Sequence, residues 1–209
     1  MTEPSCQLYL ISPLDVGGEF PERLARAIDA GQGVVTAFQF RVKDMDQHEA
    51  ARLAEPLQAI CARGDVAFVV NDSIPLAKRL KADGVHLGQK DGTVAEAREE
   101  LGRDVQIGVT CHDSRHFAME AGEAGADYVA FGAFFDSTTK DAGHRAEPEI
   151  LEWWSGLFEL PCVAIGGITP SNCRALIDAG ADFLAVSGGV WNGDEAANVR
   201  AFVEQIGKE

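Results

Sequence analysis

No hydrophobic run in the 209 residues is long enough to span a bilayer, which takes about 20 consecutive apolar residues. Met1 to Ser5 has no basic stretch leading into an apolar core, so a secretory signal is not expected. Cysteine is sparse and odd in number. Cys6, Cys61, Cys111, Cys162 and Cys173 contain no Cys-x-x-Cys pair, which argues against a disulfide framework and a zinc site and points to a reduced, cytoplasmic setting. Basic residues are few: 18 Lys and Arg against 33 Asp and Glu leave a net charge of −15. Such a surface repels nucleic acid and anionic lipid, so neither is expected as a partner. No Gly-x-Gly-x-x-Gly follows the first predicted strand, which weighs against a dinucleotide fold. No linker or low-complexity segment divides the chain, so one domain over residues 1–209 is expected.

What is present is a regular alternation of short apolar strands and amphipathic helices. Strands are predicted at 7–11, 34–40, 67–70, 84–87, 105–110, 128–131, 162–165 and 183–186. Helices are predicted at 20–30, 45–63, 73–80 with Ser73 as cap, 93–101, 114–123 with Asp113 or Ser114 as cap, from about 148, at 171–179 and at 195–206. Three segments share one pattern: Ala82-Asp-Gly-Val-His-Leu-Gly88, Ala126-Asp-Tyr-Val-Ala-Phe-Gly132 and Ala181-Asp-Phe-Leu-Ala-Val-Ser-Gly188. Each reads as a helix end, an Ala-Asp turn, a buried strand and a glycine at the strand exit. Recurring βα units imply a parallel α/β fold, and their number matches a closed (β/α)₈ TIM barrel better than an open sheet.

The polar residues cluster at predicted strand exits. Asn71-Asp72 and Gln89 to Asp91 follow two consecutive strands of one βα unit, so they emerge at the same sheet edge. The two carboxylates, Asp72 and Asp91, suit a hard cation such as Mg²⁺, which takes oxygen ligands and commonly shares them with phosphate. The plainer alternative is that both are turn or cap residues. Gln39, Arg41 and Lys43 alternate at period two and share one face of the second strand's end. Two cations and an amide pointing together can clamp a diphosphate. Against this, Arg41 and Lys43 can be a solvated strand end paired with Asp44 and Asp46.

Gly166-Gly167 and Ser187-Gly188-Gly189 follow the seventh and eighth strands, where barrels of this class usually bind phosphate through backbone N–H groups. The competing reading is two tight turns that need glycine for packing. Ser137-Thr-Thr-Lys140 lies in a long loop after the sixth strand, either closing over a phosphorylated ligand or simply solvated. Thr110 ends strand five and offers a hydroxyl. His112 follows it and can shuttle protons, although a lone histidine is more often structural. His86 lies inside a buried strand and reads as a satisfied core histidine. Trp153-Trp154 reads as packing.

Taken together, these motifs resemble the thiamine-phosphate synthase family along nearly the whole chain. The resemblance rests on Gln39-Phe-Arg-Val-Lys43, Asn71-Asp72, Ala82 to Asp91, Gly108-Val-Thr110, Ser137-Thr-Thr-Lys140 and Ala164-Ile-Gly-Gly-Ile168. It implies a Mg²⁺-dependent transferase that joins hydroxymethylpyrimidine diphosphate to thiazole phosphate and releases pyrophosphate. By that likeness Gln39, Arg41, Lys43, Asn71, Thr110 and Lys140 hold the pyrimidine diphosphate, and Asp72 and Asp91 hold Mg²⁺. Ser137, Thr139, Gly167 and the Ser187-Gly188 turn hold the thiazole phosphate. Arg41, Lys43 and Lys140 stabilise the departing pyrophosphate, so no protein nucleophile is required.

Three positions depart from the family pattern. The loop reads Asp136-Ser-Thr-Thr-Lys140 where the family has Pro-Thr-x-Thr-Lys, Thr110 stands for a serine, and Gly188 stands for a serine with Ser187 one place earlier. The rival readings are a thiazole tautomerase-like isomerase, which needs a proton shuttle such as His112 but no diphosphate clamp, and a non-catalytic phosphate-binding relative. The expected partners are small phosphorylated molecules, and the sequence leaves a homo-oligomer open.

Overall fold

The computed structural model describes residues 6–136 and 144–207. Eight parallel strands close into a barrel in sequence order, with the last returning to the first. They are β1 (Gln7–Ile11), β2 (Val35–Phe40), β3 (Ala67–Asn71), β4 (Gly84–Leu87), β5 (Gln106–His112), β6 (Tyr128–Phe131), β7 (Cys162–Ile165) and β8 (Phe183–Val186). The connecting helices are α1 (Phe20–Gly31), α2 (Gln47–Arg63), α3 (Ile74–Leu80), α4 (Val94–Leu101), α5 (Arg115–Glu123), α6 (Glu149–Ser155) and α7 (Arg174–Asp178). A short α8 (Gly188–Trp191) and a closing α9 (Glu195–Ile206) follow β8. The expected (β/α)₈ barrel is the observed one.

Local chemistry sets the helix starts. Asp46, Ser73, Thr93 and Ser114 each accept a backbone N–H from the first turn of the helix that follows. Ser73 and Ser114 are thus the caps of α3 and α5, as expected, and α4 begins one residue later than the pattern indicates because Thr93 is its cap. Helix α7 departs more. It begins at Arg174, not Ser171, because Asn172 is committed to a turn: its Oδ1 accepts from Thr169 N–H and its Nδ2 donates to the Gly167 carbonyl. Helix α8 was not expected. Trp191 fixes it through an indole N–H to the Ile11 carbonyl at 2.6 Å and an edge contact with Phe20 at 5.0 Å.

The three-fold Ala-Asp repeat has a structural cause. Asp83, Asp127 and Asp182 each accept the backbone N–H at or near the start of the neighbouring strand, from Phe68, Ile107 and Cys162 at 2.7, 2.7 and 2.8 Å. These carboxylates close the N-terminal end of the barrel, away from the strand exits.

Apolar residues form two compartments. The larger lies between strands and helices and includes Phe38, Phe40, Phe68, Leu57 and Trp154. The smaller fills the barrel with Tyr9, Ile11, Val69, Tyr128, Ala130, Val163 and Ala185. Alternation along each strand divides the two sets.

At the chain's return, buried Glu195 at the start of α9 receives Arg23 at 2.9 Å and Arg26 at 2.7 Å from α1. Burial pushes its carboxyl up, and the two arginine hydrogen bonds outweigh that and hold it below the ordinary glutamate range. A lowered folded value makes this contribution complete above the unfolded value of roughly 4.3 and lost as pH falls through the folded value. Urea midpoints of the native protein should therefore decline on acidification below about pH 4.5 more steeply than those of Glu195→Gln. Equal slopes would remove the ion-pair account.

Candidate active site

The strand exits bring most of the sequence-predicted residues to one rim. Gln39 is inside the barrel at 3% exposure, in register with Ile11 on β1 and Val69 on β3. Two residues on, Arg41 is half-buried and its backbone is pinned. Its N–H donates to Ser12 Oγ at 2.9 Å, and Ser12 Oγ–H donates back to the Arg41 carbonyl at 3.2 Å. Lys43 is exposed. The guanidinium of Arg41 and the ammonium of Lys43 make no ion pair or hydrogen bond with another described residue. Pairing with Asp44 and Asp46 is therefore not observed; Asp46 instead accepts from His48 N–H.

Asn71 ends β3, and Asp72 follows in the left-handed region at φ 64°, its N–H donating to the His86 carbonyl at 2.8 Å. Asp91 lies in the turn after β4, where its Oδ2 accepts Gly88 N–H at 3.1 Å. The turn role read for Asp91 is thus real, and it uses one carboxylate oxygen. Among the described residues no group of three or more His, Cys, Asp or Glu side chains is arranged to hold a metal. Two hard carboxylates after neighbouring strands fit Mg²⁺, which completes its shell with water and phosphate, and do not fit zinc.

Thr110 is half-buried near the end of β5, held twice. Gln89 Nε2 donates to its carbonyl at 2.6 Å, and its Oγ1 is 2.8 Å from His86 Nε2. That second contact opens a continuous polar column through the barrel. His86 Nδ1 is 3.0 Å from Tyr128 Oη, Tyr128 Oη is 2.9 Å from Tyr9 Oη, and Gln39 Nε2 donates to Tyr9 Oη at 3.1 Å. The rings pack as well, His86 stacked on Tyr128 at 5.6 Å and Tyr9 edge-on to it at 6.0 Å. Gly108 makes the room: a Cβ there would lie 1.9 Å from Tyr128 Cζ. Burial pushes the Tyr9 phenol up to about 12, with its hydrogen bonding to Tyr128 and Gln39 opposing, and burial raises Tyr128 well above its ordinary value. Both phenols keep their protons at neutral pH.

The glycine turns face the same rim. Among the described residues the N–H groups of Gly167, Gly188 and Gly189 donate to no backbone carbonyl, which leaves them available to an anion. Ser187 flanks α8 without capping it through its side chain. Packing explains part of the glycine requirement. Gly167 has φ 64°, and a Cβ there would lie 2.4 Å from the Asp136 carbonyl and 2.7 Å from that of Phe135. Ser137, Thr139 and Lys140 lie outside the described residues. Asp136, the residue that departs from the family loop, exposes its side chain fully and sits 3.6 Å from Arg145.

His112 occupies a bulge at φ 55°, its ring 4.7 Å from that of His144 on the return of the loop. All five cysteines are buried and none is in a disulfide, and burial pushes the thiols of Cys6, Cys61, Cys111 and Cys162 up to about 12. None of these four is a thiolate nucleophile at neutral pH. Tyr9 and Tyr128 were missed by sequence reasoning. The available signal was a hydroxyl-bearing ring placed at an inward position of an apolar strand.

A family model described as thiamine monophosphate synthase matches residues 8–190. The chain is 78% identical over 207 residues to the thiamine-phosphate synthase of Erythrobacter litoralis, covering 98% of this chain and 97% of that one. It is 53% identical over 188 residues to the thiamine-phosphate synthase of Rhodospirillum centenum, covering 90% of each. Among solved structures, the thiamine phosphate pyrophosphorylase of Pyrococcus furiosus superimposes with a TM-score of 0.85 at 29% identity, covering 98% of both chains.

The close approach of Gly167 to residues 135–136 generates an expectation for the rim. Gly167→Ala meets both a positive φ and two backbone oxygens, so it should cost more than about 1 kcal/mol in urea unfolding. An unchanged midpoint would mean that the turn does not require glycine.

Proposed function

Because the chain belongs to the thiamine monophosphate synthase family, we propose that it is a transferase. The reaction joins hydroxymethylpyrimidine diphosphate to thiazole phosphate and releases pyrophosphate. The observation that carries this reading is the uncommitted pair of cations at the end of β2. On a chain of net charge −15, Arg41 and Lys43 at one strand exit engage no carboxylate among the described residues. Placed together at a strand exit and engaged by no carboxylate among the described residues, these two cations are available to an anionic ligand.

The roles follow from placement. Arg41, with its backbone fixed by Ser12, and Lys43 bind the diphosphate oxygens and offset the charge that accumulates as pyrophosphate leaves. Gln39, Asn71 and Thr110 orient the pyrimidine diphosphate from the barrel mouth. Asp72 and Asp91 would hold Mg²⁺, which when bound supplies further neutralisation of the diphosphate charge. The N–H groups of Gly167 and Gly188, beside Ser187, bind the thiazole phosphate as an anion at a short helix start. Ser137, Thr139 and Lys140 are assigned from sequence to the loop that completes both subsites. The thiazole nitrogen captures the pyrimidine methylene as the carbon–oxygen bond to pyrophosphate breaks. No protein nucleophile is needed, and the buried, protonated thiols fit that economy.

The expected setting is cytoplasmic. It is supported by five buried cysteines, none of them in a disulfide.

The purified chain with both substrates and Mg²⁺ should form pyrophosphate and thiamine phosphate in equal amounts. Arg41→Ala and Asp72→Asn should each lower turnover by roughly 100-fold or more with unchanged urea midpoints. Normal turnover in both variants would remove the assigned roles. Conversion of the thiazole alone without pyrophosphate release would replace the synthase by an isomerase.

A further inference from the structure

The column from Gln39 to Thr110 has more order than a list of contacts conveys. Each neutral phenol carries one proton and must donate it somewhere. Tyr9 Oη has two polar partners among the described residues, Gln39 and Tyr128. Gln39 approaches it through Nε2, which donates, so that edge of Tyr9 is an acceptor. The Tyr9 proton then has one destination, Tyr128 Oη at 2.9 Å. Tyr128, having accepted there, sends its own proton to His86 Nδ1 at 3.0 Å. An imidazole that accepts at Nδ1 carries its proton on Nε2, which donates to Thr110 Oγ1 at 2.8 Å. Thr110 has thereby accepted inside the barrel, and its hydroxyl proton is directed outward to the mouth. The reverse order would send Tyr128 O–H to Tyr9 and leave the Tyr9 proton in a buried site without an acceptor, at a cost of about 1–3 kcal/mol.

We propose that Tyr9, Tyr128 and His86 are positioning residues that form a one-way hydrogen-bond relay, starting at the Gln39 amide and presenting Thr110 Oγ1–H as a donor to the bound substrate. The relay deepens the proposed function and rests on it for the identity of the acceptor, an oxygen or ring nitrogen of the pyrimidine diphosphate. Its polarity does not depend on that identity. The Gln89 contact to the Thr110 carbonyl fixes the backbone while the relay fixes the side chain. The stacked His86 and Tyr128 rings, accommodated by Gly108, keep the column in line.

The first test is the tautomer of His86 in the ligand-free protein at pH 8, read from long-range proton–nitrogen correlation after assignment by substituting the other four histidines. The relay requires the Nε2–H form. The Nδ1–H form would overturn it, because it corresponds to the opposite run of donors with the Gln39 amide rotated. Tyr9→Phe should keep the Nε2–H form, since Tyr128 O–H still has His86 Nδ1 as acceptor. A switch to Nδ1–H in that variant would equally contradict the relay.

The second test is a kinetic double-mutant cycle. Tyr128→Phe should lower kcat/KM about tenfold on the native background and by less than about twofold once Thr110→Val has removed the terminal donor. Thr110→Ser, which keeps the hydroxyl, should restore most of what Thr110→Val loses. Additive losses from Tyr128→Phe and Thr110→Val would assign Tyr128 a purely structural role and overturn the proposal. A chain that shows the Nε2–H tautomer but makes no thiamine phosphate would refute the proposed function and leave the polarity of the relay standing.

Discussion

A hydroxyl, amide or imidazole enclosed in a barrel has no water to turn to, and leaving one unpaired costs about 1–3 kcal/mol. This chain places Gln39, Tyr9, Tyr128 and His86 in such an interior, each at 7% exposure or less, and gives each a partner within 3.1 Å. No buried side-chain polar atom among the described residues lacks one. That requirement fixes the ring positions, and the ring positions require Gly108, whose Cβ would intrude on Tyr128. The column also couples distant parts of the chain, since Tyr9 and Tyr128 are 119 residues apart in sequence. A packed lumen therefore becomes a rigid floor beneath the rim.

The two ends of the barrel are built for different ends. At the N-terminal side, Asp83, Asp127 and Asp182 spend their carboxylates on strand N–H groups, and Asp127 also takes Arg98 at 2.8 Å. Those carboxylates are committed to structure. At the C-terminal side, Arg41 and Lys43 carry no such commitment among the described residues, and Gly167, Gly188 and Gly189 present N–H groups without backbone acceptors. The short helix α8 is held in place by Trp191 reaching back to β1, so the last glycine turn is anchored to the first strand. A net charge of −15 over the whole chain sharpens the contrast, because an anion approaching the rim depends on the cations that stand clear there.

Much of this was legible in the sequence for a simple reason: period two and period 3.6 are read directly from apolar spacing. Every predicted strand was found to within two residues at its ends, and the alternation of Gln39, Arg41 and Lys43 located the exit of β2. Helix α7 escaped because Asn172 diverts the first turn, a competition between side chain and backbone that apolar spacing does not register. Helix α8 escaped because its cause is tertiary, the Trp191 contact with Ile11 across the chain. His86 was read as a satisfied core histidine, and it is one. Its partner at Thr110 is what ties it to the rim, and that pairing of β4 with β5 is a matter of register, not of local pattern. The glycine pair after β7 was read as either packing or anion binding. Its geometry serves packing directly, while the Gly167 N–H, without a backbone acceptor among the described residues, is compatible with the second use.

The central claim is that the rim of this barrel binds a diphosphate through the cations at the end of β2. Titration of inorganic pyrophosphate into the full chain with Mg²⁺, followed by calorimetry, tests it without depending on turnover. The account predicts saturable binding that weakens at least about tenfold in Arg41→Ala and further in Arg41→Ala/Lys43→Ala. Binding of equal strength in the native protein and the double variant would contradict it.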